Sequence, residues 1–285
     1  MARYGIPWQG SKSRIAKWVV DVLPPSHTLV DLFGGGCAVT HCALLSGKWE
    51  NIIVNDITDS TRVFVDAIRG EYRGLSTVPT RDEFMASEDT MLKALYSFGN
   101  DRTTYAWSDE LAAVKVPACK MLTAPSLHER RMAYMEFCKA LTEYVIDGGG
   151  TDAKTLYPHG TSELESLERL QALERVEALE RDYRMVDIPE GATVYADPPY
   201  RGTANSARYG EFDFDAFDQW LAGTDFPVFV SEFDAPTGCV EIARTERTTS
   251  MSATSTDKRT ERIFVQERFY DQCKPLTLFD ATEGG

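Results

Sequence analysis

Residues 28–56, TLVDLFGGGCAVTHCALLSGKWENIIVND, decide the fold. Thr28 to Phe33 is a short apolar run broken by one carboxylate, Asp31, which suits a buried strand. Gly34-Gly35-Gly36 form a turn, and a small-residue helix follows from Cys37 to about Ser46. Asn51 to Asn55 reads as a second strand that ends at Asp56. Strand, glycine turn, helix and strand make a βαβ unit, which requires a parallel sheet. Upstream, Ser11 to Leu23 is an amphipathic helix with Ile15, Val19 and Val22 on one side, stopped by Pro24-Pro25. Downstream, Ser60 to Arg69 is helical. The alternation resumes with the strand Thr193 to Ala196 and the helix Phe214 to Ala222. It continues with the strand Pro227 to Ser231 and late strands near Val240–Ala243 and Arg262–Gln266.

The middle of the chain reads differently. It holds polar loops, the aromatics Tyr96, Phe98, Tyr105 and Trp107, a helix-like stretch Ser126–Val145 and the turn-rich IDGGGTDAKTLYPHG. The expectation is an α/β core from residues 1–70 and 191–285, interrupted by a mostly helical insertion at 71–190. Within it, SLERLQ, ALERVE and ALERDY repeat from Ser166 to Tyr183 with apolar residues three apart. That spacing gives a helix no single buried stripe. The Leu, Glu, Arg and Ala content favours helix all the same, with stacked short extended turns as the alternative.

Composition sets limits. The chain has 285 residues, 43% hydrophobic and 26% charged, within the range of globular domains. No apolar run approaches the ~20 residues of a membrane span, and MARYGIPWQG has no apolar leader core. These features predict an intracellular protein. The cysteines form no CxxC and the histidines no HExxH, so reduced thiols and no metal are expected. The net charge of −14 runs against the usual sign for a nucleic-acid binder. It leaves room for one, because the local field at the binding face decides.

Three motifs carry chemistry. Asp197-Pro198-Pro199-Tyr200 follows a strand directly, where open α/β sheets place their ligands. The prolines hold a carboxylate beside a rigid carbonyl, with an aromatic ring just beyond. Asp197 and the Pro198 carbonyl can accept two N–H bonds from an exocyclic amine while Tyr200 stacks on its ring. Second, Asp31-Leu32-Phe33-Gly34-Gly35-Gly36 brings backbone close to a cofactor, and Asp56 lies where an acidic residue commonly holds ribose hydroxyls. The pattern is not GxGxxG, so an adenosyl cofactor without a phosphate chain fits better. Third, Trp8-Gln9-Gly10-Ser11-Lys12 delivers a cation to a helix start, suited to a carboxylate.

In this order the motifs resemble the adenine-specific DNA methyltransferases of the D12 class, the α group that includes bacterial GATC methylases. Ser97-Phe98-Gly99-Asn100 also resembles a segment of phage-type members. The resemblance implies a Rossmann-like methyltransferase core with an inserted target-recognition region. It implies S-adenosylmethionine as methyl donor and N6 of a flipped-out adenine in double-stranded DNA as acceptor. Trp8 and Lys12 would hold the methionine end of the donor, Asp56 its ribose, and the Phe33 to Gly36 turn its backbone side, with Asp31 a further cofactor-binding candidate. Asp197 would lie between donor and amine. Within the insertion, Arg102, Lys115, Lys120, Arg130 and Arg131 are candidates for DNA contacts. The expected setting is the cytoplasm of a bacterial or phage-infected cell, in restriction–modification, phage protection or regulation. Cytosine-N4 methylation, RNA or protein amine methylation, and a silent nucleic-acid-binding relative are the alternatives. The modified nucleoside formed separates them.

Overall fold

The computed structural model describes residues 4–72, 77–150, 175–201, 212–252 and 255–273. The chain forms two compact units. One comprises Met1–Gly5, Lys12–Arg62 and Ala172–Gly285, and the other Ile6–Ser11 and Val63–Gln171. The strands are β1 (Thr28–Asp31), β2 (Asn51–Asp56), β3 (Val176–Glu180), β4 (Thr193–Ala196), β5 (Val228–Glu232), β6 (Cys239–Ser252) and β7 (Ser255–Gln266). The helices are α1 (Ala16–Val22), α2 (Ala38–Ser46), α3 (Ser60–Arg69), α4 (Arg81–Ala86), α5 (Thr90–Leu95), α6 (Asp109–Thr123), α7 (Leu127–Ile146), α8 (Phe214–Gly223) and α9 (Tyr270–Cys273).

The first unit is built on one sheet in the order β3-β2-β1-β4-β5-β7-β6. β1 to β5 pair in parallel, while β7 runs against both of its neighbours. β1 and β4 are buried along their whole length, which is why TLVD and TVYA read as apolar runs and not as alternations. Val194, Ala196, Val228 and Val230 pack with Phe217 and Leu221 of α8. From β1 the order runs to β2 and β3 on one side and to β4 and β5 on the other. The switch point of the sheet therefore lies between β1 and β4, and Leu32 N–H closes it by donating to the Tyr195 carbonyl at 2.9 Å.

Three expectations change here. Residues 176–180, read as helix inside the insertion, form the edge strand β3, with Ile52 to Asp56 of β2 paired to Val176 to Glu180. A parallel partner overrides the helix preference of VEALE. The earlier part of the repeat, 166–174, lies outside the described residues, as does 151–160 of the turn-rich stretch. The helix expected from Ser11 starts only at Ala16, and Lys12 sits in the preceding turn, its carbonyl accepting from Ile15 N–H at 2.8 Å. The late strands are also longer than their apolar cores. β5 pairs with Arg262 to Phe264, and the rest of β7 continues against β6 through a Ser/Thr-rich stretch that has no apolar alternation to reveal it.

The second unit is helical. Thr80 and Ser126 form capping boxes with Glu83 and Glu129 at the starts of α4 and α7, and Asp89 and Ser108 cap α5 and α6. Its core is aromatic: Phe84, Tyr96, Tyr105 and Trp107 with Val116 and Cys119 of α6. The Tyr105 hydroxyl donates to the Pro79 carbonyl at 2.6 Å. α6 contains Pro117 and the β-branched Val114 and Val116, which concealed it in the sequence.

Candidate active site

β4 delivers Asp197 to the C-terminal edge of the sheet, at the switch point. Its carboxylate Oδ1 lies 2.8 Å from the Lys12 ammonium, with side-chain exposures of 16% and 7%. Lys12 Nζ is also 3.9 Å from Glu261 Oε2 and 4.3 Å from the centre of the Tyr200 ring. The Tyr200 hydroxyl donates to Glu261 Oε2 at 2.7 Å, and Phe233 meets the ring edge-on at 4.5 Å. The site therefore joins Asp197, Lys12 and Tyr200, as expected, to Glu261, which the motifs did not reveal. Tyr200 is buried beneath the ammonium and does not form an open platform. A base stacking on the face that Lys12 covers must displace that cation.

Burial holds the Asp197 carboxyl above the usual carboxylate range. The Lys12 ammonium pulls against that rise and the Glu261 charge adds to it. At the end of β5, Glu232 accepts from Phe233 N–H at 2.8 Å and from Arg201 N–H at 3.2 Å, and burial pushes its carboxyl up to about 7. Arg201, next to Tyr200, donates to Asp218 at 2.6 Å. The Tyr195 hydroxyl donates to Ser231 Oγ at 3.0 Å beneath the site. Sequence reasoning also missed Glu232. Its only signal is a carboxylate at the end of an apolar strand.

Across the switch point, Asp31 ends β1. The Thr40 hydroxyl of α2 donates to its Oδ2 at 2.8 Å, while Oδ1 is buried with no hydrogen bond among the described residues. Burial raises Asp31 to about 7 despite Thr40, and the charges of Asp197 and Asp56 add to the rise. The glycine turn is tight. A Cβ on Gly34 would lie 2.5 Å from Val54 Cγ2, and Gly35 has φ +48°. Asp56 Oδ2 accepts from Gly35 N–H at 2.8 Å, and its Oδ1 accepts from the Thr58 N–H and hydroxyl at 2.9 and 2.7 Å. Asp56 thus braces the turn, and of the roughly four lone-pair sites of a carboxylate about one is left for a ligand. Phe33 packs against Tyr183, Phe212 and Phe217 at 5.2–5.9 Å.

These groups fit an adenosyl methyl donor. Asp31 Oδ1 is an unused buried acceptor suited to a hydroxyl or ammonium group. The Gly34 turn leaves no space for a side chain, and Asp31 is close enough to Asp56 and Asp197 to feel the charge of each.

Trp8 belongs to the other unit. It is buried, and the Arg102 guanidinium lies 3.8 Å over its ring. Of the candidate DNA contacts, Lys115 is corrected: it lies on α6 but is only 2% exposed, with its ammonium 5.4 Å over the Trp107 ring, so its charge faces the helical core and not solvent. Arg130 donates to the Ala124 carbonyl at 2.6 Å. Among the described residues no cluster of three His, Cys, Asp or Glu could hold a metal ion, and no helix is long and apolar enough to cross a membrane.

The family model described as D12 class N6 adenine-specific DNA methyltransferase matches residues 8–241. No curated protein matches the chain.

Proposed function

The chain belongs to the D12 class of N6 adenine-specific DNA methyltransferases, and from that premise we propose that Asp197 and the Pro198 carbonyl bind the amino group of a flipped-out adenine and that Asp197 accepts its proton. Membership carries the activity: the chain is an S-adenosylmethionine-dependent methyltransferase acting on adenine N6 of DNA, and its seven-stranded sheet is the methyltransferase core. S-adenosylmethionine supplies the methyl group, carried on a sulfonium.

The N6 lone pair is delocalised into the purine ring. Two acceptors on its N–H groups favour a pyramidal, more electron-rich nitrogen. Transfer would exchange the sulfonium–methyl bond for an N6–methyl bond, leaving S-adenosylhomocysteine, and one N–H proton is lost from the nitrogen. Asp197 suits it as receiver because burial makes it a stronger base than an exposed carboxylate. Alignment at the switch point can contribute roughly 7–11 kcal/mol. Extruding the base from a duplex costs a few kcal/mol. Stacking on Tyr200 would offset roughly 1–3 kcal/mol of that once Lys12 is displaced from the ring face it covers.

On the donor side, Asp31, the Phe33–Gly36 turn and the remaining capacity of Asp56 would bind the adenosyl and amino-acid portions, with Lys12 at the methionine end. The helical unit would read double-stranded DNA. Its setting would be the cytoplasm of a bacterial or phage-infected cell.

The observation that supports this reading best is the Lys12–Asp197 pair at the β1/β4 switch point, within electrostatic reach of Asp31. The test is methylation of duplex DNA with the nucleosides resolved by mass spectrometry. The native chain should form N6-methyladenine, and Asp197→Ala should lower the rate roughly 10²–10⁴-fold, the usual range for a lost general base. An Asp197→Ala variant as active as the native chain would sink the assignment.

A further inference from the structure

We propose that Glu261 is a positioning residue of this site: it shares the Lys12 ammonium with Asp197 and fixes the Tyr200 ring, so that Asp197 stays basic toward the adenine amine. The inference rests on the reading of Asp197 above. Glu261 lies on β7, beyond the 8–241 stretch that the family model matches, and no motif of the sequence points to it.

The fold explains how it arrives. β7 runs against β5, with Glu232 at the C-terminal end of β5 opposite Arg262. The next residue back along β7 is Glu261, so the antiparallel strand carries it to the edge where Asp197 and Tyr200 emerge. It is fully buried there. A carboxylate in such a place is costly unless charges and donors compensate it. Here the Tyr200 hydroxyl lies 2.7 Å from Oε2, a charge-assisted bond, and the Lys12 ammonium lies 3.9 Å from the same oxygen. The same ammonium is 2.8 Å from Asp197 and 4.3 Å over the Tyr200 ring. Lys12, Glu261 and Tyr200 therefore touch one another, and Asp197 joins them through the same ammonium.

One cation between two carboxylates neutralises neither fully. Without the Glu261 charge, Lys12 would belong to Asp197 alone, making it a weaker base and a poorer acceptor for N6–H. The Tyr200 hydroxyl acts on Asp197 directly, as a hydrogen-bond donor that favours its charged form, so removing it would leave Asp197 a stronger base. The two deletions therefore push Asp197 in opposite directions. The Glu261 charge raises its affinity for a proton, whereas the Tyr200 hydroxyl lowers it.

The experiment measures single-turnover methylation of duplex DNA against pH, with thermal melting in parallel, for the native chain, Glu261→Gln, Tyr200→Phe and Asp197→Ala. Glu261→Gln keeps an oxygen for the Tyr200 hydroxyl and removes the charge. Its acid limb should move to lower pH by roughly half to one unit, with a plateau reduced about tenfold. Tyr200→Phe should move the acid limb to higher pH. The inference is overturned if neither limb moves, if both move the same way, or if activity falls only in proportion to melting temperature. Should Glu261→Gln fail to fold, Glu261→Asp, which withdraws the charge by one methylene, takes its place, and an unmoved acid limb there overturns the inference. If Asp197→Ala stays active, the reading of the site fails instead, before Glu261 is judged.

Discussion

The two units bury opposite kinds of side chain. The sheet unit buries Asp31, Asp56, Glu232 and Glu261 around the ends of its strands. The helical unit buries Phe84, Tyr96, Tyr105 and Trp107, and two charged residues, Asp101 and Lys115, are buried among those described. Buried carboxylates oppose folding unless they are compensated, and burial holds Asp31 and Glu232 near 7. The aromatic cluster carries less of that conflict, with one buried ammonium, Lys115, 5.4 Å over the Trp107 ring. The sheet unit thus gives up stability at the place where chemistry needs charge, and the helical unit spends its core on holding its shape.

The largest test of this contrast lies in the helical unit. Phe84 is fully buried, with its ring 5.3 Å from Tyr105 and the Lys93 ammonium 4.6 Å above it. Phe84→Ala should cost about 3–5 kcal/mol in denaturant unfolding. Hydrogen exchange should show weakened protection in α4 to α6 while β1, β4 and β5 keep theirs. Protection weakened equally in the strands would erase the distinction between the units.

The next test reverses the sign. Asp31 is raised to about 7 in the folded chain from 3.8. The folded state therefore holds a proton that the unfolded state releases between those values. The stability tied to this proton is full below pH 3.8 and declines as pH rises through about 7. Asp31→Asn removes the decline, because Asn stays neutral and can still accept from Thr40. The variant should match the native chain near pH 4 and exceed it at pH 8 by on the order of 4 kcal/mol. Calorimetric titration should show that it binds S-adenosylmethionine more weakly. A variant no more stable at pH 8 would mean that Asp31 is not held against its ionisation.

The sequence made most of the sheet legible because central parallel strands are apolar runs between glycine and proline signals. TVYA appears as β4 with the expected bounds, and DPPY follows it to the switch point. Three features were hidden, each for its own physical reason. VEALE became β3 because β2 offered a parallel edge that a Leu-Glu-Arg composition does not announce. α6 was obscured by Pro117 and its valines. Glu261 is invisible from spacing because its partner Tyr200 stands 61 residues away in the segment after β4, and only the antiparallel path of β7 brings the two together. Local pattern encodes elements well, but it does not encode which side chains two strands place at one edge.

The smallest test concerns a charge that the helical unit has committed to packing. Arg102 was a candidate for a DNA phosphate, yet its guanidinium lies 3.8 Å over Trp8, and its N–H donates to Ser97 Oγ at 2.7 Å. It also holds φ +65°, in the left-handed region that costs a non-glycine residue about 1–2 kcal/mol. Arg102→Ala loses the cation over the ring, worth about 0.5–2 kcal/mol, and keeps the backbone penalty. Arg102→Gly loses the same cation but relieves the backbone, so it should lie about 1 kcal/mol above the Ala variant. Equal stabilities for the two would show that the loop does not hold residue 102 left-handed in solution. The salt dependence of DNA binding then separates packing from recognition. An arginine held by Trp8 leaves the slope of log K against log salt unchanged on removal, whereas an arginine that neutralises one phosphate would flatten it by about 0.9 when removed.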